Sequence, residues 1–375
     1  MENTQMLQDF FELTQLEVYS KKERRIADVL KAKLTVLGLT VTEDDTAAKI
    51  GGEAGNIYAL LPGDPSMEAI LFSAHMDRVA NNGHITPVWN KEEGIIHADG
   101  KTILAADDVS GICVILEALR RVKAENIQHG DIEIAFSVCE EVGVLGSSFY
   151  DFNRFRSKMA FVFDIPGRVG RITTKAPGKG KITISVHGRT AHAGNEPEKG
   201  LNALKIAADL LMHLPDGRVT TETTTNFSMI SAGSSTNVVC GFAELIGEQR
   251  STNIAEYALN TETIKTAVTQ TAAKYATKIE LNILDQYTTF SVPQDALCCK
   301  IAAQACKSIG VEPFFERGGG GMDGNHFNAH GITTIGIAPG YSKNHTSNEQ
   351  LIVADFLKCG AIAVEIVRLA ASHQY

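Results

Sequence analysis

Five separated stretches of the chain end in side chains suited to holding a pair of divalent cations: His75 with Asp77, Asp107, Glu140 with Glu141, Asp164, and His345. All but Asp107 stand where an apolar run stops, which is where α/β proteins place their chemistry. In the strand-like text 70–74 leading into His75, residues two apart share a face, so His75 and Asp77 point the same way. One can ligate while the other fixes the imidazole tautomer and raises its basicity. Asp107 and Asp108 follow residues 102–106 and open a helix, where one aspartate serves as a cap. A carboxylate there also has two oxygens with which to bridge two cations.

Glu140 and Glu141 close the apolar text 132–138. Adjacent anions at the end of a buried strand lose hydration and repel, so they reach solvent or a cation compensates them. One ligating carboxylate beside one free carboxylate is what metal-assisted hydrolysis requires, since the metal acidifies water and the free group takes the proton. Asp164 ends the apolar run 160–163, and His345 lies in the polar loop 342–348. Each alone reads as a turn residue; together with the others they form one candidate site.

The elements that must bring these groups together can be read from periodicity. Strands over 56–61, 69–74, 131–138 and 159–163 alternate with a helix over 108–123, which predicts a sheet flanked by helices. Ile112, Ile115, Leu116 and Leu119 give that helix one sheet-facing stripe. The cluster Ala176, Pro177, Gly178, Lys179, Gly180 interrupts the pattern. After it, strands at 182–186, 226–230, 238–246 and 278–283 with helices at 201–213 and 254–275 predict an α+β insert. From Asp295 the first pattern resumes: a helix to Ile309, a glycine loop, a buried strand 333–337 and a terminal helix from Glu349. The expected organisation is a discontinuous domain, 1–177 with 288–375, and an inserted domain, 178–287.

Composition narrows the class. Of 375 residues 44% are apolar, enough for a sizeable core, and 35 basic against 44 acidic residues leave a net charge of −9. That balance argues against nucleic acid or an anionic membrane as partner. The seven cysteines show no metal-finger spacing, and reduced thiols in a cytoplasm fit them. No stretch has the roughly twenty apolar residues that cross a bilayer. The N-terminus lacks a basic start followed by an apolar run, and Ser20 to Glu23 read as a capping box opening a helix toward Leu37. The glycine loop matches neither a dinucleotide nor a phosphate-loop pattern.

The segments Ser73, Ala74, His75, Met76, Asp77, then 99–108, then 129–143, then Asn344, His345, Thr346 occur in an order that resembles the dinuclear-zinc peptidase family that includes peptidase T, carboxypeptidase G and aminoacylase. The resemblance spans nearly the whole chain. It departs from peptidase T at Ala105, where that enzyme usually has glycine, and at Cys139.

The resemblance implies an α/β zinc-peptidase domain with a mixed central sheet, and an inserted lid and dimerisation domain. It implies that His75 and Asp164 hold one divalent metal and Glu141 and His345 the other, with Asp107 bridging. Zn2+ is the expected metal, Co2+ or Mn2+ the substitutes. Asp77 would steady His75, and Glu140 would be the general base. From the insert, His192 would donate to the developing oxyanion, and Asn237 with Arg250 would anchor a peptide terminus. Gly319 and Gly320 would line the substrate pocket. The implied protein is a cytoplasmic, homodimeric aminopeptidase acting on short peptides such as tripeptides. The rival within the family is an amidohydrolase that removes an acyl group from an amino acid. The rival of another class is a non-catalytic binding protein, opposed by the presence of every ligand and the base.

Overall fold

The computed structural model describes residues 4–80 and 83–372. The chain divides into two compact units, residues 1–176 with 290–375, and residues 177–289.

Among the described residues, the larger unit is built on a nine-stranded sheet. Its order is Thr40–Glu43, Ile57–Leu61, Ile132–Ser137, Ile70–His75, Met159–Val162, Thr333–Ile337, Arg171–Ala176 and Phe290–Ser291, with Phe314–Arg317 also on Arg171–Ala176. Ile132–Ser137, Ile70–His75, Met159–Val162 and Thr333–Ile337 are mutually parallel, and the strands flanking these four pair antiparallel to them, so the sheet is mixed. Central parallel strands covered on both faces carry continuous apolar text, which is why these were legible. The registers His75 with Ser137 and Ser73 with Val162 bring the carboxyl ends of three strands to one edge. Phe72 locks two of them together, meeting Phe161 at 6.0 Å and Phe163 at 5.4 Å between ring centres, both edge-on. Truncating Phe72 to alanine is expected to cost about 3–5 kcal/mol.

The helix Ala106–Ala124 packs on the His75 strand and also against the helices Thr4–Thr14 and Val353–Ser372. It is therefore buried nearly all round through Leu119, not along the single stripe expected. Two other expectations change. No capping box forms at Ser20 to Glu23: the helix Arg24–Val36 begins without a side-chain cap. Ser20 Oγ donates instead to Asp77, and the Glu23 carboxylate accepts the amides of Lys21 and Cys139. The terminal helix begins at Val353, because residues 350–352 serve a small antiparallel sheet of Tyr341–Ser342, Gln350–Ile352, Ile95–His97 and Val88–Asn90. These strands of two or three residues are too short to leave a period in the sequence.

The smaller unit is an antiparallel sheet in the order Gly217–Arg218, Thr223–Ala232, Phe242–Ser251, Gly178–His187, Ile279–Tyr287, with two helices, Ala203–Leu211 and Ile254–Tyr275. Alternate residues Ile182, Ile184 and Val186 face its core with Ile206, Leu210, Leu245 and Ile264. Asn253 caps the longer helix by accepting the amides of Ala255 and Glu256. The strand expected over 238–246 lies at Phe242–Ser251, since residues 237–240 form a loop that bridges to the His192 segment.

Candidate metal centre

The parallel strands deliver their ligands to a common edge. His75 ends its own strand, Glu140 and Glu141 follow Ile132–Ser137, and Asp164 follows Met159–Val162. Asp107 arrives from the start of the helix Ala106–Ala124, where Asp107 and Asp108 have non-helical backbone angles. His345 comes from the hairpin between Tyr341–Ser342 and Gln350–Ile352.

Asp107 sits between the two imidazoles. Its Oδ1 is 3.0 Å from His75 Nε2 and its Oδ2 is 3.3 Å from His345 Nε2. His345 Nε2 is 2.9 Å from Glu141 Oε1, and His75 Nε2 is 3.7 Å from Asp164 Oδ1. The structure thus gathers the other four residues read as ligands about Asp107, His75 and His345 directly and Asp164 and Glu141 through them. Among the described residues, two triads have donor atoms within 4.8 Å of one another: His75, Asp107, Glu141, and His75, Glu140, Asp164. Glu140 therefore stands close enough to reach a cation at the His75 side.

Asp77 organises the site from below. The His75 ring nitrogen Nδ1 lies 3.0 Å from the Asp77 carbonyl and 3.4 Å from its Oδ1. The same carboxylate accepts the amide of Glu140 at 2.8 Å and of Glu141 at 3.2 Å, so one buried anion orients both the imidazole and the glutamate pair. Sequence reasoning missed further members. Tyr341 Oη donates to Asp164 and Asn344 Nδ2 to Asp107. Glu349 accepts three amides of residues 104–107. Asp323, buried after the glycine loop, accepts Ser137 Oγ at 2.5 Å. The adjacency of Asn344 to His345 was the one available signal; the others are isolated residues with no local pattern.

The electrostatics are those of anions gathered without enough positive charge. Burial, then the charge of Asp164, pushes the Glu140 carboxyl well above the usual range. Burial pushes Asp164 and Asp108 well above it too, and raises Glu141 and Asp323. Burial also opposes a charge on His75, but Asp164, Asp107 and Asp77 outweigh it and hold the imidazolium well above its ordinary value. Hydrogen bonds with Asp107 and Glu141 raise His345 to about 10. Burial disfavours the Asp107 anion, yet the two histidines hold its carboxyl below the ordinary range. Protons here occupy the places that cations of higher charge would fill, and imidazole with carboxylate oxygens suits zinc, cobalt or manganese.

Ala105, standing where glycine is usual in the family it resembles, has φ 61° and ψ 32°, a left-handed conformation that glycine adopts without steric cost. Cys139 is left-handed too, at φ 54°. At Gly319 and Gly320 a Cβ would meet nothing within 4 Å, so that loop is open.

The remaining candidates belong to the smaller unit. His192 is exposed, and its Nδ1 accepts the amides of Gly194 at 3.2 Å and Asn195 at 3.1 Å. Two donors on Nδ1 place the proton of the neutral ring on Nε2. Asn237 is exposed and lies beside the His192 segment, its carbonyl accepting the Ala193 amide. The Arg250 guanidinium is half-buried and bonded to Glu248 at 2.6 Å.

The chain is 36% identical to YqjE of Bacillus subtilis over 366 residues, 98% of each chain. It superposes on the crystal structure of the aminopeptidase PepT from Bacillus cereus with a TM-score of 0.89 and 35% identity, covering 98% of this chain and 99% of that one. A tripeptidase from Staphylococcus aureus gives a TM-score of 0.92 and 30% identity, covering 99% of each. The model of peptidase family M20/M25/M40 matches residues 71–369, and the chain belongs to that family.

Proposed function

We propose that this protein is a metal-dependent aminopeptidase that removes the N-terminal residue from short peptides, tripeptides among them, using two divalent cations, zinc in the native enzyme. The observation that carries the two-metal reading is Asp107, whose two carboxylate oxygens face different imidazoles. His75 and Asp164 would hold one cation, Glu141 and His345 the other, and Asp107 both. Bound cations supply Lewis acidity, polarising the scissile carbonyl and acidifying water.

The chain's own groups do the rest. Glu140, fixed through its amide by Asp77, takes the proton of the attacking water on its carboxylate and passes it to the leaving amine. The His192 tautomer leaves Nε2–H to donate to the oxygen that gains charge as the carbonyl is attacked. Arg250 and Asn237 bind the peptide carboxylate, and the open backbone of Gly319 and Gly320 lets a substrate lie close. The insert serves as lid and as the contact between two subunits of a homodimer.

A cytoplasmic location accords with the cysteines, all seven of them free thiols and six buried. Among the described residues no helix is long and apolar enough to cross a membrane. The names borne by the PepT aminopeptidase and the tripeptidase support the substrate class. The test is hydrolysis of a peptide-length series by zinc-loaded protein, beside the same peptides N-acetylated. Cleavage of free tripeptides and refusal of the acetylated ones is expected; the reverse preference would exclude an aminopeptidase.

A further inference from the structure

The Glu349 carboxylate is 1% exposed, and it is spent on the backbone of a segment far away in sequence. Its Oε2 accepts the amides of Leu104 at 2.8 Å and Ala105 at 2.9 Å, and its Oε1 accepts the amide of Asp107 at 3.0 Å. Those amides define the turn in which Ala105 is left-handed and from which Asp107 projects. Glu349 itself ends the loop that carries Asn344 and His345, and its own amide is bonded to the Thr346 carbonyl. Asn344 closes the circuit by donating to Asp107 Oδ2 at 2.7 Å.

A left-handed alanine is unfavourable, and three amides facing one way need an acceptor when water is excluded. A carboxylate has the lone pairs to satisfy all three; an amide side chain has one oxygen and turns N–H groups toward the third donor. We infer that Glu349 is a positioning residue for the dinuclear centre, pinning the Asp107 turn to the His345 loop so that the bridge and the terminal ligand of the second cation are set by one side chain. This rests on the reading of Asp107 as the bridge.

Glu133 provides a matched control. It too is a fully buried carboxylate that accepts backbone amides, those of Arg156 and Ser157, but it sits at the amino end of its strand, opposite the end that leads to Glu140 and Glu141, and the loop it holds carries no ligand. The experiment is titration of metal-stripped protein with Co2+, followed by calorimetry and by the visible d–d absorption that reports ligand geometry. Glu349→Gln is expected to bind one of two equivalents at least about 10-fold more weakly, with an altered spectrum. Glu133→Gln is expected to lower the melting temperature while leaving both equivalents and the spectrum unchanged. Ala105→Gly in the Glu349→Gln background should recover part of the lost affinity, because glycine takes up the left-handed turn unaided. Wild-type affinity and spectrum in Glu349→Gln overturn the inference. Should that variant fail to fold, Glu349→Asp, which draws the carboxylate back by one methylene, decides by the same criterion. Fewer than two equivalents on the wild-type protein would instead overturn the two-metal reading.

Discussion

Two clusters of charge in the larger unit treat the same side chains in opposite ways. Near the surface, Glu43 is ringed by Arg24 and Lys31 and by the amide of Gly55. Although burial works against its charge, those partners lower its carboxyl to about 2. At the carboxyl edge of the sheet, Glu140, Asp164, Asp108 and Asp323 are buried, burial raises all four, and the His75 imidazole is the cation that opposes it at each. Acids matched to cations hold helix to strand. Acids gathered in excess, on a scaffold that fixes them by backbone hydrogen bonds, suit the coordination of divalent cations.

The sharpest way to test that contrast is to remove the proposed proton carrier while keeping the proposed ligands. Glu140→Gln is expected to lower kcat roughly 10²–10⁴-fold with both equivalents of metal retained, measured by tripeptide turnover beside metal analysis. Because Glu140 also lies within reach of the His75 side of the site, loss of one equivalent would reassign it as a ligand.

Next in size is the bridge. Asp107→Asn leaves a side chain of the same shape with one oxygen in place of two, so it can serve one cation but not both. Affinity for the more weakly held equivalent is expected to fall at least about 100-fold, since loss of a direct ligand exceeds the loss of a supporting group. Calorimetric titration of stripped protein reads this, and two equivalents held as tightly as before would show that Asp107 does not bridge.

What the sequence disclosed follows the same division. Central parallel strands have continuous apolar text, and their carboxyl ends showed where His75, Glu140, Glu141 and Asp164 would meet. The helix Ile254–Tyr275 and the strand Thr333–Ile337 were legible to the residue, the second through its buried run. The supporting groups were not. Glu349, Tyr341, Asp323 and Ser20 act across sequence separations of 57 to 245 residues, and nothing in their local text distinguishes them from loop residues. Glu23 misled: its text fits a capping box, but tertiary contact with Cys139 claims its carboxylate.

A third effect separates the two clusters by pH. In metal-stripped protein His345 has its value raised to about 10 from 6.5, so its pairing with Asp107 and Glu141 stabilises fully below about 6.5 and is lost as pH rises toward 10. The buried acids act in the same direction, because their raised values mean that ionising them on the way up in pH opposes folding. The melting temperature of the stripped protein should therefore fall between pH 6.5 and 10. The metal-loaded protein should lose less over that window, since cations bind the deprotonated ligands. Parallel thermal melts with and without zinc check this, and identical slopes would mean that the excess acids are compensated by something other than metal.

The smallest effect belongs to the matched cluster and runs the other way. The carboxyl of Glu43 is lowered, so its contribution is present above about 4.5 and disappears as pH falls through about 2. Solvent reaches the Arg24 and Lys31 side chains, which are 34% and 32% exposed, and screening reduces what the shift alone would suggest. Glu43→Gln is expected to cost about 0.5–1 kcal/mol near neutral pH, measured by urea unfolding, and to leave peptide turnover and metal content unchanged. The same substitution should shrink the loss of stability on acidification. A large effect on turnover would mean that the surface cluster reaches the active edge of the sheet through Gly55 and the strand Ile57–Leu61, and the division between matched and unmatched acids would then fail as a guide to which of them does chemistry.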